Sequence, residues 1–310
     1  MWSAMQRNSQ QMMWSSAADT VERSISEINR KFEQSPKLGS LRLNPDLEIP
    51  RYHTLNDIHQ MPGGYHTEYA ADDLGLGAVY DVGVPIYSMN KFGRHNDLLG
   101  SSLARYFRDE IDAPTPKKIL DLGCTIGSST VPWKQAFPDA EVHGVDVAAP
   151  VLRWGHARAS EMGHAIEFSQ QNAESLDFED NSFDVVCSAI LFHETSRSAL
   201  PRILKECHRV LKPGGKMLHL DAFATSENRQ FSPIQRYIAK WEVENNNEHF
   251  ILGLSKIDMI EEARAAGFDD PDLKIQYIPL NVDALGQDRP KEERGYMQTF
   301  GRSPVLMATK

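Results

Sequence analysis

Two acids flanking a glycine turn are the residues of this chain best placed to do chemistry. In the stretch KKILDLGCTIGSST, residues 117–130, Asp121 sits in an apolar run with Ile119, Leu120 and Leu122, and the run breaks at Gly123 and Gly127. A buried parallel strand ends this way when its loop opens a helix, with backbone N–H groups aimed at a ligand. A second run, AEVHGVDV, carries Asp146 near its end. That acid follows the turn by about 20 residues, where a nucleotide-binding α/β unit keeps the carboxylate that grips a ribose. Two strands, a glycine turn and an acid predict a cofactor site.

The spacing of the glycines narrows the cofactor. A dinucleotide needs G-x-G-x-x-G, because its pyrophosphate approaches the backbone at the second glycine. Here the frame reads Gly123-Cys124-Thr125-Ile126-Gly127-Ser128, so Thr125 and Ser128 stand at the second and third glycine positions. A Cβ at those places suits a ligand without phosphates, a nucleoside carrying an amino-acid tail. S-adenosylmethionine (SAM) is such a ligand.

These residues need a scaffold, and the rest of the chain supplies its pattern. Strands are predicted at Lys118–Leu122, Glu141–Asp146, Ala165–Ser169, Phe183–Ile190 and Lys216–Ala222, with two more at Leu273–Ile278 and Pro304–Thr309. Helices are predicted near Asp97–Ile111, Ser129–Ala136, Pro150–Met162 and Leu200–Leu211. The last of these stops at Lys212-Pro213-Gly214-Gly215, where a proline cannot continue it. Such alternation predicts an α/β fold, a doubly wound and mostly parallel seven-stranded sheet. Ahead of it, residues 1–105 read as a largely helical and irregular extension. Val21, Ile25, Ile28 and Phe32 mark one helical face, and Pro36, Pro45, Pro50 and Pro62 mark an irregular segment. After the fifth strand, residues 223–253 replace a short link. There Ser232-Pro233 predicts a helix start, and Ile234, Tyr237, Ile238 and Trp241 form an apolar face expected to cover the mouth of the site. A further helix is predicted from Ser255 and Asp258 to Gly267, and Asn281–Gly301 as most of a long connection. The predicted domains are the extension and lid over 1–105 and the core over 106–310, with the lid insertion at 223–253.

Composition removes several function classes. With 310 residues, 33 Lys plus Arg and 43 Asp plus Glu, the chain carries a formal charge of −10. An acidic chain with scattered basic residues argues against nucleic acid as a partner. No run reaches the roughly 18 apolar residues needed to cross a bilayer, and the N-terminus lacks the pattern of a secretory signal. The three cysteines form no CxxC pair, and no metal site is expected. A cytoplasmic enzyme is the resulting expectation, its oligomeric state open and a homodimer among the options.

Residues 117–310 resemble the class I SAM-dependent methyltransferases, in the subgroup similar to the ubiquinone/menaquinone-biosynthesis enzymes (methyltransferase type 11). The resemblance rests on ILDLGCTIGSST, the VDV acid, the NAES segment before LDFEDNSFDVV, and RVLKPGGKMLHLD. It implies a Rossmann-like fold with SAM as cofactor and a methyl acceptor as substrate. Asp121 and the backbone from Gly123 through Cys124 and Thr125 to Gly127 would hold the methionine portion. Asp146 would accept from the ribose hydroxyls, and Val147 would flank the adenine. Asn172 stands where the family often has an aspartate reaching the adenine amino group, with Ala173 beside it. Ala189 would lie near the transferable methyl. Thr125 departs from the usual D-x-G-x-G-x-G pattern.

Methyl transfer by SN2 displacement mainly requires alignment, and a base only when the nucleophile starts protonated. His193 and Glu194, directly after the fourth strand, sit at the sheet's ligand-binding edge and are the candidate catalytic pair. His53, His59 and His66 match no common metal-ligand spacing and are expected to be lid histidines rather than a metal or substrate site. Tyr80, Tyr87 and Tyr106 either line the pocket or pack. Glu242, Glu244, Glu248 and Asn245–Asn247 read as a solvated helix end. The leading expectation is methyl transfer to a small metabolite at an oxygen, nitrogen, sulfur or carbon atom. The alternatives are a SAM-binding regulatory protein without turnover and a nicotinamide-dependent oxidoreductase, with a macromolecular methyltransferase behind them.

Overall fold

The apolar alternation of the strands becomes a sheet buried on both faces. The computed structural model describes residues 1–68, 70, 74–93, 95–223, 233–280 and 301–310. Ser232, part of the predicted insertion and most of the connection predicted over Asn281–Gly301 lie outside the described residues. The seven predicted strands are present as β2 (Lys118–Leu122), β3 (Glu141–Asp146), β4 (Ile166–Gln170), β5 (Phe183–Ala189), β6 (Leu211–Leu220), β7 (Lys274–Pro279) and β8 (Arg302–Thr309). An eighth joins them from the extension, β1 (Gly39–Arg42). The sheet runs β1-β4-β3-β2-β5-β6-β8-β7. Among the described residues, only β8 is antiparallel to its neighbours β6 and β7.

Successive side chains of a strand face opposite ways, and the two cores follow from that. Leu120, Leu122, Val186 and Met217 meet Leu200, Ile203, Leu204 and Cys207 of α7 (Leu200–Val210). On the other face Ile119, Val142, Val185 and Leu218 meet Leu103 and Phe107 of α4 (Leu98–Glu110) and Trp133 of α5 (Thr130–Ala136). Each of these buried apolar side chains contributes roughly 1.5–3 kcal/mol relative to exposure. A parallel sheet so covered puts all its β-to-α loops at one edge, and there the reversal of strand order beside β2 opens a crevice.

The extension is more regular than its sequence suggests. α1 spans Trp2–Gln34 and packs on α3 (Gly75–Tyr87), a helix not predicted. Glycines and Pro85 mask α3 in the sequence, yet Gly83 is required: a Cβ there would stand 2.1 Å from the Trp14 ring. α3 in turn packs on α6 (Ala149–Glu161), where Trp154 Nε1 donates to Asp81 at 2.9 Å. β1 pairs in parallel with β4, and Gln170 fastens the segment after it: its Oε1 accepts from Asn44 N–H at 3.0 Å while its Nε2 donates to Val147 O at 2.9 Å.

One prediction about the insertion is overturned. In α8 (Pro233–Asn246), Ile234, Tyr237 and Ile238 are 63%, 61% and 50% exposed, so that apolar face points to solvent instead of covering the site. The helix is seated instead by Ala239, Asn245 and Asn246, all buried, with the Asn246 side-chain amide and the Asn245 backbone carbonyl finding partners in the extension. Gln60 Nε2 donates to Asn245 O at 2.9 Å, Trp241 Nε1 donates to Gln6, and Arg7 donates to Glu244 O. Among the described residues, no helix is long and apolar enough to cross a membrane.

Candidate functional site

The turn after β2 is built so that its backbone can face a ligand. Gly123 has φ +67° and Gly127 φ +78°, the left-handed region that favours glycine. A Cβ on Gly123 would also lie 2.8 Å from Leu191 Cδ1. Thr125 holds the same left-handed conformation at φ 45°. The Gly123 and Cys124 N–H groups donate to Val145 O at 2.8 and 3.0 Å, which ties the turn to β3. Asp146, closing β3, completes the tie: Oδ2 accepts from Thr125 N–H at 3.0 Å and Oδ1 from Ala148 N–H at 2.9 Å. Burial raises the Asp146 pKa, and those backbone hydrogen bonds oppose the rise.

Asp121 lies behind the turn rather than in the cavity. Its Oδ2 accepts from Ser129 Oγ at 2.6 Å and Thr130 Oγ1 at 2.7 Å. Full burial pushes its pKa up to about 6, with the two hydroxyls acting against the shift. Cys124 is buried against Gly144, where a Cβ would stand 2.9 Å from its sulfur. Asp121, Cys124 and Gly127 therefore shape the turn from beneath.

In front of the turn is a cavity of about 300 Å³. Gly123, Thr125, Asp146, Val147, Asn172, Ala173, Ala189, His193 and Glu194 all line it. Nine of the twelve residues singled out in the sequence thus converge on one space. Asn172 is committed in part to its own turn, since its Oδ1 accepts from Glu174 N–H at 2.9 Å. Two polar atoms at the cavity are buried without a hydrogen-bond partner among the described residues: Ser128 Oγ and Asn96 Oδ1. Buried polar groups are ordinarily satisfied, so these two mark where a polar ligand group would bond.

The other wall carries a row of acids and imidazoles. Asp221, just past β6, accepts from Phe192 N–H at 2.7 Å and lies 2.6 Å from His193 Nδ1. His193 Nε2 stands 3.6 Å from Glu194 Oε1, and the same oxygen is 3.5 Å from His59 Nε2. His59 Nδ1 lies 3.2 Å from Glu248 Oε1. Burial alone would lower the pKa of both imidazoles. The Asp221 charge and hydrogen bond, joined by Glu194, instead raise His193 well above its ordinary value, and hydrogen bonds to Glu194 and Glu248 raise His59 to about 10. Burial would raise Glu194, yet the two imidazoles hold it far below the usual carboxylate range.

Two expectations fall here. His59 is no bland lid histidine: it is half-buried in the wall of the site, with φ 52° and its ring 5.1 Å from that of Tyr87. Asn245, Asn246 and Glu248 are buried rather than a solvated helix end. The reason is reciprocal bonding, for the Asn246 amide nitrogen lies 2.7 Å from His59 Nδ1 and donates to Tyr87 Oη at 2.6 Å. Tyr80 and Tyr87 line the cavity, together with His53 and His66, whereas Tyr106 packs against the core under α4. Asp221 was missed although its signal was legible, an acid closing a strand at the same sheet edge as Asp146. His59 had no such signal, since it lies in an irregular segment, and Glu248, just past α8, was read as part of a solvated helix end because nothing local announces its partner His59.

Residues 119–215 match the family model described as a methyltransferase domain. The demethylmenaquinone methyltransferase of Geobacillus stearothermophilus is 31% identical over 191 residues, 56% of this chain and 80% of that protein. That of Thermus thermophilus is 36% identical over 106 residues, 34% of this chain and 47% of that protein. Several curated relatives are matched over only about half their own length. Among solved structures, the Haemonchus contortus phosphoethanolamine N-methyltransferase 2 in complex with phosphomonomethylethanolamine and S-adenosylhomocysteine aligns with TM-score 0.52 and 20% identity. That alignment covers 75% of this chain and 58% of the other, and it is a likeness of fold.

Proposed function

The chain belongs to the class I SAM-dependent methyltransferases of the ubiquinone/menaquinone-biosynthesis type, and on that premise we propose that it transfers a methyl group from SAM to a small molecule. The observation that carries the reading is the pairing of the Gly123–Gly127 turn with the Asp146 carboxylate at the mouth of one cavity. The residues present fit the donor. Thr125 puts a Cβ where a pyrophosphate-binding turn keeps a glycine, while two orphaned polar atoms, Ser128 Oγ and Asn96 Oδ1, suit the charged ends of an amino-acid tail. Asp146 would hold the ribose, Val147 and Ala173 would flank the base, and Ala189 would lie under the reacting end. When bound, SAM supplies an electrophilic methyl on a positively charged sulfur.

The chain's own residues do the rest. Tyr65, Tyr80 and Tyr87 place aromatic faces and edges around the cavity, and such faces attract cations. His193 is fixed by Asp221 and holds a proton, so it orients Glu194 instead of acting as a free base. Glu194 is the carboxylate left facing the acceptor. The extension contributes Tyr52, His59 and Tyr87 to the cavity wall and the stretch after α8 contributes Glu248, an enclosure that suits a compact acceptor better than a macromolecule. The buried free thiols Cys124, Cys187 and Cys207 suit a cytosolic setting.

Titration with SAM by calorimetry, followed by SAM turnover against a metabolite extract with mass spectrometry for the +CH₂ product, tests the reading. Micromolar SAM binding with a methylated product is expected. No heat with SAM, or an NADH signal in its place, overturns it.

A further inference from the structure

Among the described residues, the acceptor half of the cavity holds no imidazole or phenolate free to take a proton. His193 sits between Asp221 and Glu194, and His59 between Glu194 and Glu248, so every ring nitrogen of the pair faces a carboxylate. Those carboxylates keep both imidazoles charged, and a doubly protonated imidazole has only N–H donors and no lone pair to offer. Glu194 lies between the two cations, which hold its carboxyl far below the usual range and make it a poor acceptor of protons. Glu248 is set apart from the loop after β5 by the His59 ring. Burial pushes the phenols of Tyr65, Tyr80 and Tyr87 up, so they stay protonated at neutral pH. The other imidazoles of the wall stand on the donor side: the strongest charge partner of His53 is Asp146, and those of His66 are His53 and Asp57.

What this wall offers is negative charge and aromatic surface. The row Asp221, His193, Glu194, His59, Glu248 sets three carboxylates against two imidazoliums and carries one net negative charge. The ion pairs of Glu194 and Glu248 all fall on Oε1, which leaves Oε2 of each over. Trp14, Tyr65, Tyr80 and Tyr87 line the same half, with Tyr65 and Tyr80 edge to face at 5.1 Å. Carboxylate oxygens and aromatic faces attract a cation and repel an anion. Resting on the methyl-transfer reading, we infer that the acceptor's nucleophile is an uncharged atom that carries no proton, a heteroaromatic ring nitrogen or a thioether sulfur, and that the product is a permanent cation. The acceptor's lone pair forms the bond to the methyl carbon while the methyl–sulfur bond breaks with its electron pair left on sulfur. The positive charge passes from donor to acceptor, no proton is released, and no base is required. Charge thus develops beside the row, and fixed opposite charge at such a place lowers the barrier. A carboxylate or thiolate acceptor would instead face a net negative row whose imidazolium N–H groups are already turned to carboxylates. An alcohol, an ammonium or a carbon nucleophile would have a proton to lose and no imidazole to take it.

The test incubates the full chain with a metabolite extract and SAM bearing a deuterated methyl. The labelled product is passed over a strong cation exchanger at about pH 12, where ordinary amines have lost their charge. Mass alone does not separate the cases, because a permanent cation and a protonated +CH₂ product of one acceptor have the same mass-to-charge ratio. Accurate mass does tell a nitrogen acceptor from a sulfur one. With that acceptor isolated, an indicator dye in weak buffer follows proton release per S-adenosylhomocysteine formed. Expected are a labelled product retained on the exchanger and no proton released. Glu248→Gln leaves two carboxylates against two imidazoliums. It should keep SAM affinity within about threefold by calorimetry and lose turnover at least about 10-fold, with thermal melting confirming its fold. A labelled product that washes through, or one proton per turnover, overturns the inference. So does wild-type turnover in a folded Glu248→Gln, or SAM affinity lost there in step with turnover. Should that variant not fold, retention and the proton count decide alone. Failure of the wild type to bind SAM or to label any product would instead sink the methyl-transfer reading on which the inference rests.

Discussion

Replacing Asp146 by Asn leaves its size unchanged and removes its charge, which isolates what the carboxylate contributes to donor binding. An ionised carboxylate offers about four lone-pair sites. In this structure the Thr125, Ala148 and Val147 N–H groups already bond the carboxylate, and only the capacity left over is open to a ribose. An amide in the same place has a single oxygen, and its NH₂ would confront one of those backbone N–H donors. The ribose would lose at least one charge-assisted hydrogen bond, worth about 1.5–3 kcal/mol. SAM affinity should therefore fall roughly 10- to 100-fold.

Calorimetric titration of SAM and S-adenosylhomocysteine into Asp146→Asn checks this. The exposed Asp139→Asn serves as the control, and thermal melting confirms that both variants are folded. The pH dependence gives a second check. Burial raises the Asp146 pKa, so protonation on acidification reaches it before an ordinary aspartate. Donor affinity should begin to fall above the usual aspartate range as pH drops in wild type, and should be flatter in the variant. A folded Asp146→Asn protein binding within about threefold of wild type would refute the assignment.

Asp121 makes a prediction about stability. Its folded pKa of about 6 exceeds the unfolded value near 3.9, so its contribution is fully present below the unfolded value and lost as pH rises through 6. Against Asp121→Asn, wild-type stability should decline by about 2–3 kcal/mol between pH 4 and 7 in denaturant melts, and parallel curves would refute this. Gly123→Ala should destabilise the protein by about 1–3 kcal/mol, because a side chain at φ +67° is strained and its Cβ meets Leu191; an unchanged melting curve would contradict the geometry. Gln170→Ala removes both the Asn44 and Val147 hydrogen bonds, and should cost about 1–3 kcal/mol. Hydrogen exchange should quicken at residues 39–44 in that variant, and unchanged protection there would count against the fastening role.

The strands of the core could be read from sequence because each is a short apolar run ended by its own loop signal. The helices between them were legible for the same reason, with Asp258 as an N-cap whose side chain accepts from Ile260 and Glu261 N–H. β1 gave no such signal: four residues, mostly exposed, paired through backbone alone to an existing edge. α3 was hidden because its glycines and proline read as loop, whereas Gly83 serves the close approach of α1. The exposed face of α8 shows the converse error. Apolar spacing identified a helix correctly but not its orientation, which was decided by the buried Asn246 amide finding partners in the extension.

The same division runs through the site. Residues that would hold the donor sit on strand ends of a regular sheet, so their places follow from strand pattern and glycine spacing. Residues that would meet the acceptor come from three separate segments, and no local pattern in one segment announces the other two. His59 is the clearest instance: its chemistry exists only because Glu194 and Glu248 close on it from opposite sides. Burying a lone imidazolium or a lone carboxylate is strongly unfavourable, so the three charges stabilise one another only together. Removing His59 leaves Glu248 without its cation and Glu194 with only His193. The extension and the α8 segment are thereby linked to the loop after β5, and an altered acceptor pocket would require compensating change in all three segments while the donor side stayed as it is.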